Sequence, residues 1–277
     1  MNVLEFTAFV GVGALAAGFL GALTGLGGGV VIVPLLVLLG VDIHYAIGAS
    51  LVSVIATSSG AAASYVKEGY SNIRIGMFLE IATTFGALTG AHLVKFIDPE
   101  ALSIIFGVVL LVSAYLSFRQ RPRQHGTEAP DPLAVRLRLD SAYPTPVGKQ
   151  PYHVHHLPLG FGLMYMAGCL SGLLGIGSGA LKVLAMDQAM RIPFKVSTTT
   201  SNFMIGVTAA ASAGVYLHQG YIDPALTMPV MLGVLIGSLL GAHVLMEAQT
   251  RVLRRVFSVV ILALALQMIY KGITGKL

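Results

Sequence analysis

The sequence predicts an all-α, polytopic transmembrane helical bundle built from two inverted repeats of about five membrane segments each. Three observations lead there: an apolar, charge-poor composition, continuous apolar runs of helical span length, and a glycine-rich stretch that occurs twice. Of the 277 residues, 55% are hydrophobic and 10% charged, and the mean hydropathy is +0.81. Several runs approach the ~20 residues that cross a bilayer as helix. Outer-membrane strands would instead be about ten residues of alternating polarity, whereas these runs are continuous and rich in Ala, Gly and Leu. The formal net charge of +5 bears on topology rather than on nucleic acid, because the location of Lys and Arg sets orientation in a membrane.

In chain order the apolar segments are 3–23, 29–40, 43–66, 75–95 and 101–118, then 157–175, 179–190, 196–217, 224–246 and 256–271. The first has a small-residue stretch, Ala14 to Gly18, like a signal-peptide cleavage site. No basic region precedes it and its glycines belong to the repeat, so a retained first helix is expected. Segments 29–40 and 179–190 hold about 12 residues, roughly 18 Å of helix, which is short for a ~30 Å hydrocarbon core. Each repeat is therefore expected to begin with a glycine-broken or re-entrant hairpin. Residues 119–156 differ in kind, carrying Arg119, Arg121, Arg123, Arg136, Arg138 and Lys149 together with six prolines. A linker that buries no core is expected there. The chain thus divides into a first transmembrane repeat, 1–118, a basic Pro-rich linker, 119–156, and a second repeat, 157–277.

The duplication rests on matched positions. Gly18, Gly25, Gly27 and Gly29 answer to Gly168, Gly175, Gly177 and Gly179, and Tyr65, Gly69 and Tyr70 to Tyr216, Gly220 and Tyr221. Late in each half, Gly86, Gly90 and His92 answer to Gly237, Gly241 and His243, at the same offset of 150 to 151. Matches spread over separate helices argue for an internal repeat rather than shared composition. Charge then decides the number of crossings. If the first two segments of each repeat are one broken helix, the basic residues divide ten to seven between the two sides. If they form a hairpin, the division is fourteen to three, with only Lys95, Lys271 and Lys276 on the poorer side. The positive-inside rule selects the hairpin. An odd number of crossings inverts the second repeat and puts the linker in the cytoplasm with both termini outside.

Inverted repeats with broken helices place a substrate near the bilayer midplane, where half-helix N-termini present unpaired N–H groups and partial positive charge. Such a site suits an anion. The candidate binding residues are Gly25, Gly27, Gly28 and Gly29 in the first turn and Gly175, Gly177, Ser178 and Gly179 in the second. The two turns are expected to face each other across a pseudo-twofold axis with equivalent backbones. Alternatively, the glycines serve only close helix packing. Hydroxyl-rich runs follow, with Ser50 paired to Ser201 and Thr57 to Thr208, and Asn202 beside them. Neutral donors of this kind bind an oxyanion without locking it, although each hydroxyl can instead satisfy its own helix four residues back.

Two ionisable residues interrupt apolar stretches, Glu80 and Lys182. Lys182 either adds positive charge to the site or snorkels to the cytoplasmic face. Glu80, whose repeat counterpart is Met231, either carries a coupling proton or pairs with a base at the cytoplasmic end, and pairing is the favoured of the two. His92 and His243 lie toward helix ends, where capping is the expected role. The lone Cys169 has no partner for a disulfide and reads as a buried inert thiol. His153, His155 and His156 have ligand-like spacing but no Cys or acidic companions, so no metal or cofactor is expected.

At the glycine turn followed by Val33-Pro34-Leu35-Leu36, the doubled apolar repeat, and the Gly-x-x-x-Gly-Ala pattern late in each half, the chain resembles the sulfite exporter TauE/SafE family of membrane permeases. The resemblance spans nearly all of the chain outside 119–156. It implies a multi-pass protein of the bacterial plasma membrane that moves sulfite, sulfonates, sulfoacetate or related organic anions, with the lipid bilayer and the small anion as its partners. A secondary transporter is the expected function, with protons as the candidate coupling ion. The alternatives are a membrane adaptor and an intramembrane enzyme. For the enzyme, the chain has no His-Glu-x-x-His and no paired intramembrane acids, and the glycine run lacks the Gly-Lys-Ser/Thr ending of a phosphate loop.

Overall fold

The computed structural model describes residues 3–24, 28–67, 71–118, 131–145, 148–245 and 250–275. The first half contributes α1 (Val3–Thr24), α2 (Gly29–Leu38), α3 (Ile43–Lys67), α4 (Ile73–Leu93) and α5 (Pro99–Phe118). A small unit follows, α6 (Pro132–Arg136) with the antiparallel strands β1 (Ser141–Thr145) and β2 (Gly148–Tyr152). The second half contributes α7 (Leu157–Leu174), α8 (Gly179–Leu184), α9 (Phe194–His218), α10 (Pro224–Leu245) and α11 (Thr250–Thr274), with a π-helical turn, Ala185–Ala189, closing α8. The chain is an all-α helical membrane protein. Among the described residues, the windows Glu5–Ala22, Ile73–Phe96, Leu157–Leu174 and Pro224–Gly241 are long and apolar enough to cross a membrane. Large apolar side chains such as Val12, Phe85, Tyr115, Leu217 and Ile273 point outward, more than 60% exposed, as side chains facing lipid do.

Lipid tails are as apolar as leucine, so helices in a bilayer associate through close packing and hydrogen bonds rather than through exclusion of water. Glycines meet that demand here. A methyl group on Gly18 would lie against the Val234 carbonyl of α10, and one on Gly168 against the Thr83 carbonyl of α4. Gly86 abuts the carbonyl of Tyr165 in α7, and Gly237 that of Leu15 in α1. These four contacts are related by the same offset that relates the sequence motifs.

The register of such contacts also gives direction. Along α10, Gly233, Gly237 and Gly241 meet Gly11, Leu15 and Phe19 of α1 in turn, so the two helices run parallel. Between α5 and α11, Gly107 meets Ala265 while Gly272 meets Glu100, so these two run antiparallel. The helices α5 and α11 occupy equivalent places in the two halves.

The expectation of a coreless linker does not hold for its described part, residues 131–156. Asp131 caps α6 by accepting from Leu133 N at 2.8 Å, and its other carboxylate oxygen accepts from Leu157 N at 2.9 Å. Burial pulls its carboxyl up, but the amides of Leu157, Leu133 and Ala134 outweigh that and hold it below the ordinary carboxylate value. Ala134, Leu139, Tyr152 and Val154 are buried in a second apolar cluster with Ile75 and Leu79 of α4 and Met186 and Met190 beside the π turn. Asn72 ties the unit down, donating to the Leu139 carbonyl at 3.0 Å and to Tyr152 Oη at 2.8 Å. Burial raises the Tyr152 phenol. Prolines and arginines mark the surface of this small unit, and four spaced apolar side chains supply its underside. Residues 119–130 lie outside the described residues.

Candidate functional site

The main core gathers around α3 and α9, which pack on each other and carry most of the buried hydroxyls. Against them sit the two glycine turns. Gly175 and Gly177 both have φ +68° and Ser178 has φ +46°, so the chain leaves α7 through a left-handed stretch before α8 starts at Gly179. A Cβ on Gly29 would lie 2.7 Å from the Gly175 carbonyl and 2.5 Å from Ser50 Oγ, so the start of α2 abuts the opposite turn. Gly25 and Gly27 lie outside the described residues. Gly28 overturns the expectation of equivalent backbones: its φ is −65°, a right-handed conformation, where its counterpart Ser178 is left-handed.

The hydroxyls divide into two groups. Ser50 Oγ donates to the Gly175 carbonyl at 2.7 Å and Ser201 Oγ to the Gly179 carbonyl at 3.2 Å, so this symmetric pair stitches the second turn to α3 and α9. Thr57 donates to Ser53 O in its own helix at 2.9 Å. Asn202 is buried, and its main-chain carbonyl accepts from Ser58 Oγ at 2.6 Å. Ser178 is different. Its hydroxyl is buried without a hydrogen-bond partner, in a small cleft shared with Val30, Ser113, Gly179 and Ile261.

A second polar cluster lies nearby. Lys182 has no exposed surface, and its ammonium donates to Thr208 Oγ1 at 2.5 Å. Thr208 Oγ1 lies 2.6 Å from Glu80 Oε1 and 3.0 Å from the Met204 carbonyl, and Thr84 donates to the same carboxylate oxygen at 3.3 Å. Glu80 Oε2 stands 3.9 Å from the ammonium and accepts no hydrogen bond. Snorkelling of Lys182 is therefore ruled out, and Glu80 pairs with Lys182 rather than with a base at the helix end. The cluster is close to the second turn: Ile205 of α9 lies where a Cβ on Gly177 would fall, and Thr208 follows three residues later. At the repeat offset, Lys182, Thr208 and Glu80 correspond to Ile32, Thr57 and Met231. The charged cluster exists once, formed between Glu80 of the first half and Lys182 and Thr208 of the second.

The structure thus brings together Gly29, Ser50, Gly175, Gly177, Ser178, Gly179 and Ser201 at the turns, and Glu80, Lys182 and Thr208 beside them. Thr57 is occupied within its own helix. Ser113, on α5, enters the cleft without having been singled out, since one serine in an apolar helix has no pattern to announce it. The pairing of Glu80 with Lys182 had a readable signal, because both charges break the same internal symmetry. His92 is exposed at the end of α4, the His243 side chain lies outside the described residues, and His153 bonds Asp140 at 3.0 Å. Among the described residues no three His, Cys, Asp or Glu gather as metal ligands would.

A family profile described as "Sulfite exporter TauE/SafE" matches residues 10–268. The chain is 29% identical over 271 residues to the "Probable membrane transporter protein YunE" of Bacillus subtilis, covering 94% of this chain and 96% of that one. It is 26% identical over 276 residues to a "Probable membrane transporter protein" of Xylella fastidiosa, covering 98% of each. A probable membrane transporter protein of Methanocaldococcus jannaschii is 25% identical over 270 residues, with 91% of each covered. No solved structure matches the chain.

Proposed function

The chain belongs to the sulfite exporter TauE/SafE family of membrane transporters, and on that premise we propose that it is a secondary transporter of a small sulfur-containing or organic anion. Sulfite, sulfonates and sulfoacetate are the substrate class, and transport proceeds by alternating access across the plasma membrane. One observation carries the anionic choice: a fully buried ammonium, Lys182, sits on a helix that begins at a broken turn, and Ser178, the residue before that helix, holds an unpartnered hydroxyl. Positive charge in the body of a membrane protein is costly and marks ion pathways. A half-helix N-terminus adds partial positive charge at the same place.

The antiparallel register of α5 and α11 supports reading 1–118 and 157–277 as inverted repeats, with the unit at 119–156 in the cytoplasm and both termini outside. The site then falls where the broken helices of the two repeats meet, as in other carriers built from inverted repeats. Alternating access exposes it to each side in turn by rocking one packed group of helices against the other.

The test is a panel of sulfite, thiosulfate, sulfoacetate and acetate scored for thermal stabilisation of the purified protein, followed by flux of the best stabiliser in proteoliposomes. Stabilisation and flux by at least one anion are expected. Neither effect with any of the four would contradict the transport reading and favour an adaptor role.

A further inference from the structure

Resting on that reading, we propose that Glu80 is a built-in counterion that the substrate anion displaces from Lys182, and that Glu80 binds a proton as it is displaced. One proton then moves with each anion.

The geometry of the pair is the first support. A close N⁺–H···O⁻ contact is about 2.7 to 2.9 Å, and the Lys182 ammonium stands 3.9 Å from Glu80 Oε2, which accepts no hydrogen bond. The carboxylate balances the charge, and among the described residues the ammonium has one close oxygen, that of Thr208. An ammonium has three protons to donate. A compact oxyanion offers several acceptors at once, so it satisfies Lys182 better than Glu80 does. The turn lies one helical turn before Lys182, on the side toward which Cα–Cβ bonds of a helix tilt. There, Ser178 holds its free hydroxyl.

Charge balance supplies the second support. An anion arriving beside an ionised Glu80 leaves two negative charges facing one positive charge in a poorly solvated place, which is strongly unfavourable. Protonation of Glu80 restores neutrality. Its side chain keeps 9% of its surface accessible while that of Lys182 keeps none, so Glu80 is the less enclosed of the two charged groups. Lys182 is the charged group that faces Glu80 across the cluster, from α8. Helix α9 brings the neutral Thr208, α4 itself Thr83 and Thr84, and α7, packed along α4, the neutral Tyr165 and Cys169 at Gly86. The repeat-related positions, Ile32, Thr57 and Met231, hold no charge, so the pair is not required by the scaffold.

The sign follows from linkage. Because the anion-bound form holds one more proton, affinity falls as pH rises, by about tenfold per pH unit wherever free Glu80 is ionised. The experiment measures binding of the stabilising anion from the same four-member panel to the full-length detergent-purified protein between pH 6 and 8.5, with proton uptake recorded in weak buffer. Wild type is expected to take up one proton per anion bound, and Glu80→Gln to bind the same anion with no uptake and a flat pH profile. Comparison of the two removes any titration of the anion itself. Glu80→Gln that keeps the wild-type pH slope and proton uptake would overturn the proposal while leaving anion transport intact. If Glu80→Gln does not purify, the pair Glu80→Met with Lys182→Ile, which copies Met231 and Ile32, decides: it should fold and lose anion binding at least a hundredfold. Wild-type affinity in that pair would overturn the proposal. Failure of wild type to bind any of the four anions overturns the transport reading and this inference with it.

Discussion

Ser178 holds a left-handed backbone, φ +46°, which glycine adopts freely and other residues adopt at a cost of roughly 1 to 2 kcal/mol. Such strain at a buried, unpartnered hydroxyl is a reason to expect use. Ser178→Gly is predicted to have opposite effects on fold and site: thermal stability unchanged or raised, anion affinity lowered by about 0.5 to 1.5 kcal/mol, or roughly tenfold at most. Both are read from melting curves with and without anion. Thr208 invites a matched comparison with its counterpart Thr57. Thr208→Val removes the hydroxyl between Lys182 and Glu80 and is predicted to cost about 1 to 3 kcal/mol, whereas Thr57→Val removes a bond to its own helix and should cost about 1 kcal/mol or less. Equal losses would mean that the buried cluster is no more demanding than an ordinary helical threonine. At this scale the sequence showed Glu80, Lys182 and Thr208 as separate points of interest. Their contact was hidden because α4, α8 and α9 meet only through the tertiary fold, and local pattern contains no distance between them.

Among the elements, the helices were legible because apolar run length and glycine placement act locally; α2 is about as short as the sequence implied, and α8 is shorter still and gives way to the π turn Ala185–Ala189. The roles of the glycines were less so, since the same residue serves a turn and a close helix approach. Gly18, Gly86, Gly168 and Gly237 turn out to be packing positions, whereas Gly175 and Gly177 form the turn. Gly86→Leu is predicted to prevent a monodisperse protein, because the side chain would enter the backbone of α7 at Tyr165 and Cys169. Gly214→Ala, where nothing lies within 4 Å, should be tolerated and gain about 0.5 to 1 kcal/mol from helix propensity. Size-exclusion profiles of the two variants check this. Composition hides the core of the small unit after α5. Its net polarity concealed Ala134, Leu139, Tyr152 and Val154, which complete their core on α4 and the π turn rather than among themselves.

For the whole molecule, the proposed inverted arrangement draws on two independent observations, the placement of basic residues and the antiparallel packing of α5 on α11. With Cys169 replaced by Ala, a single cysteine placed at Lys149 is predicted to resist a membrane-impermeant reagent applied to intact cells, and one placed at Gly275 to react. Equal reactivity at the two positions would contradict the inverted arrangement. The central claim, that a buried ammonium beside a broken helix binds a transported anion, is tested most directly by uptake of radiolabelled anion into proteoliposomes carrying wild type or Lys182→Met. The account predicts saturable uptake by wild type and uptake by Lys182→Met no greater than in empty liposomes, with equal protein incorporated. Uptake by Lys182→Met at the wild-type rate and half-saturation would contradict it.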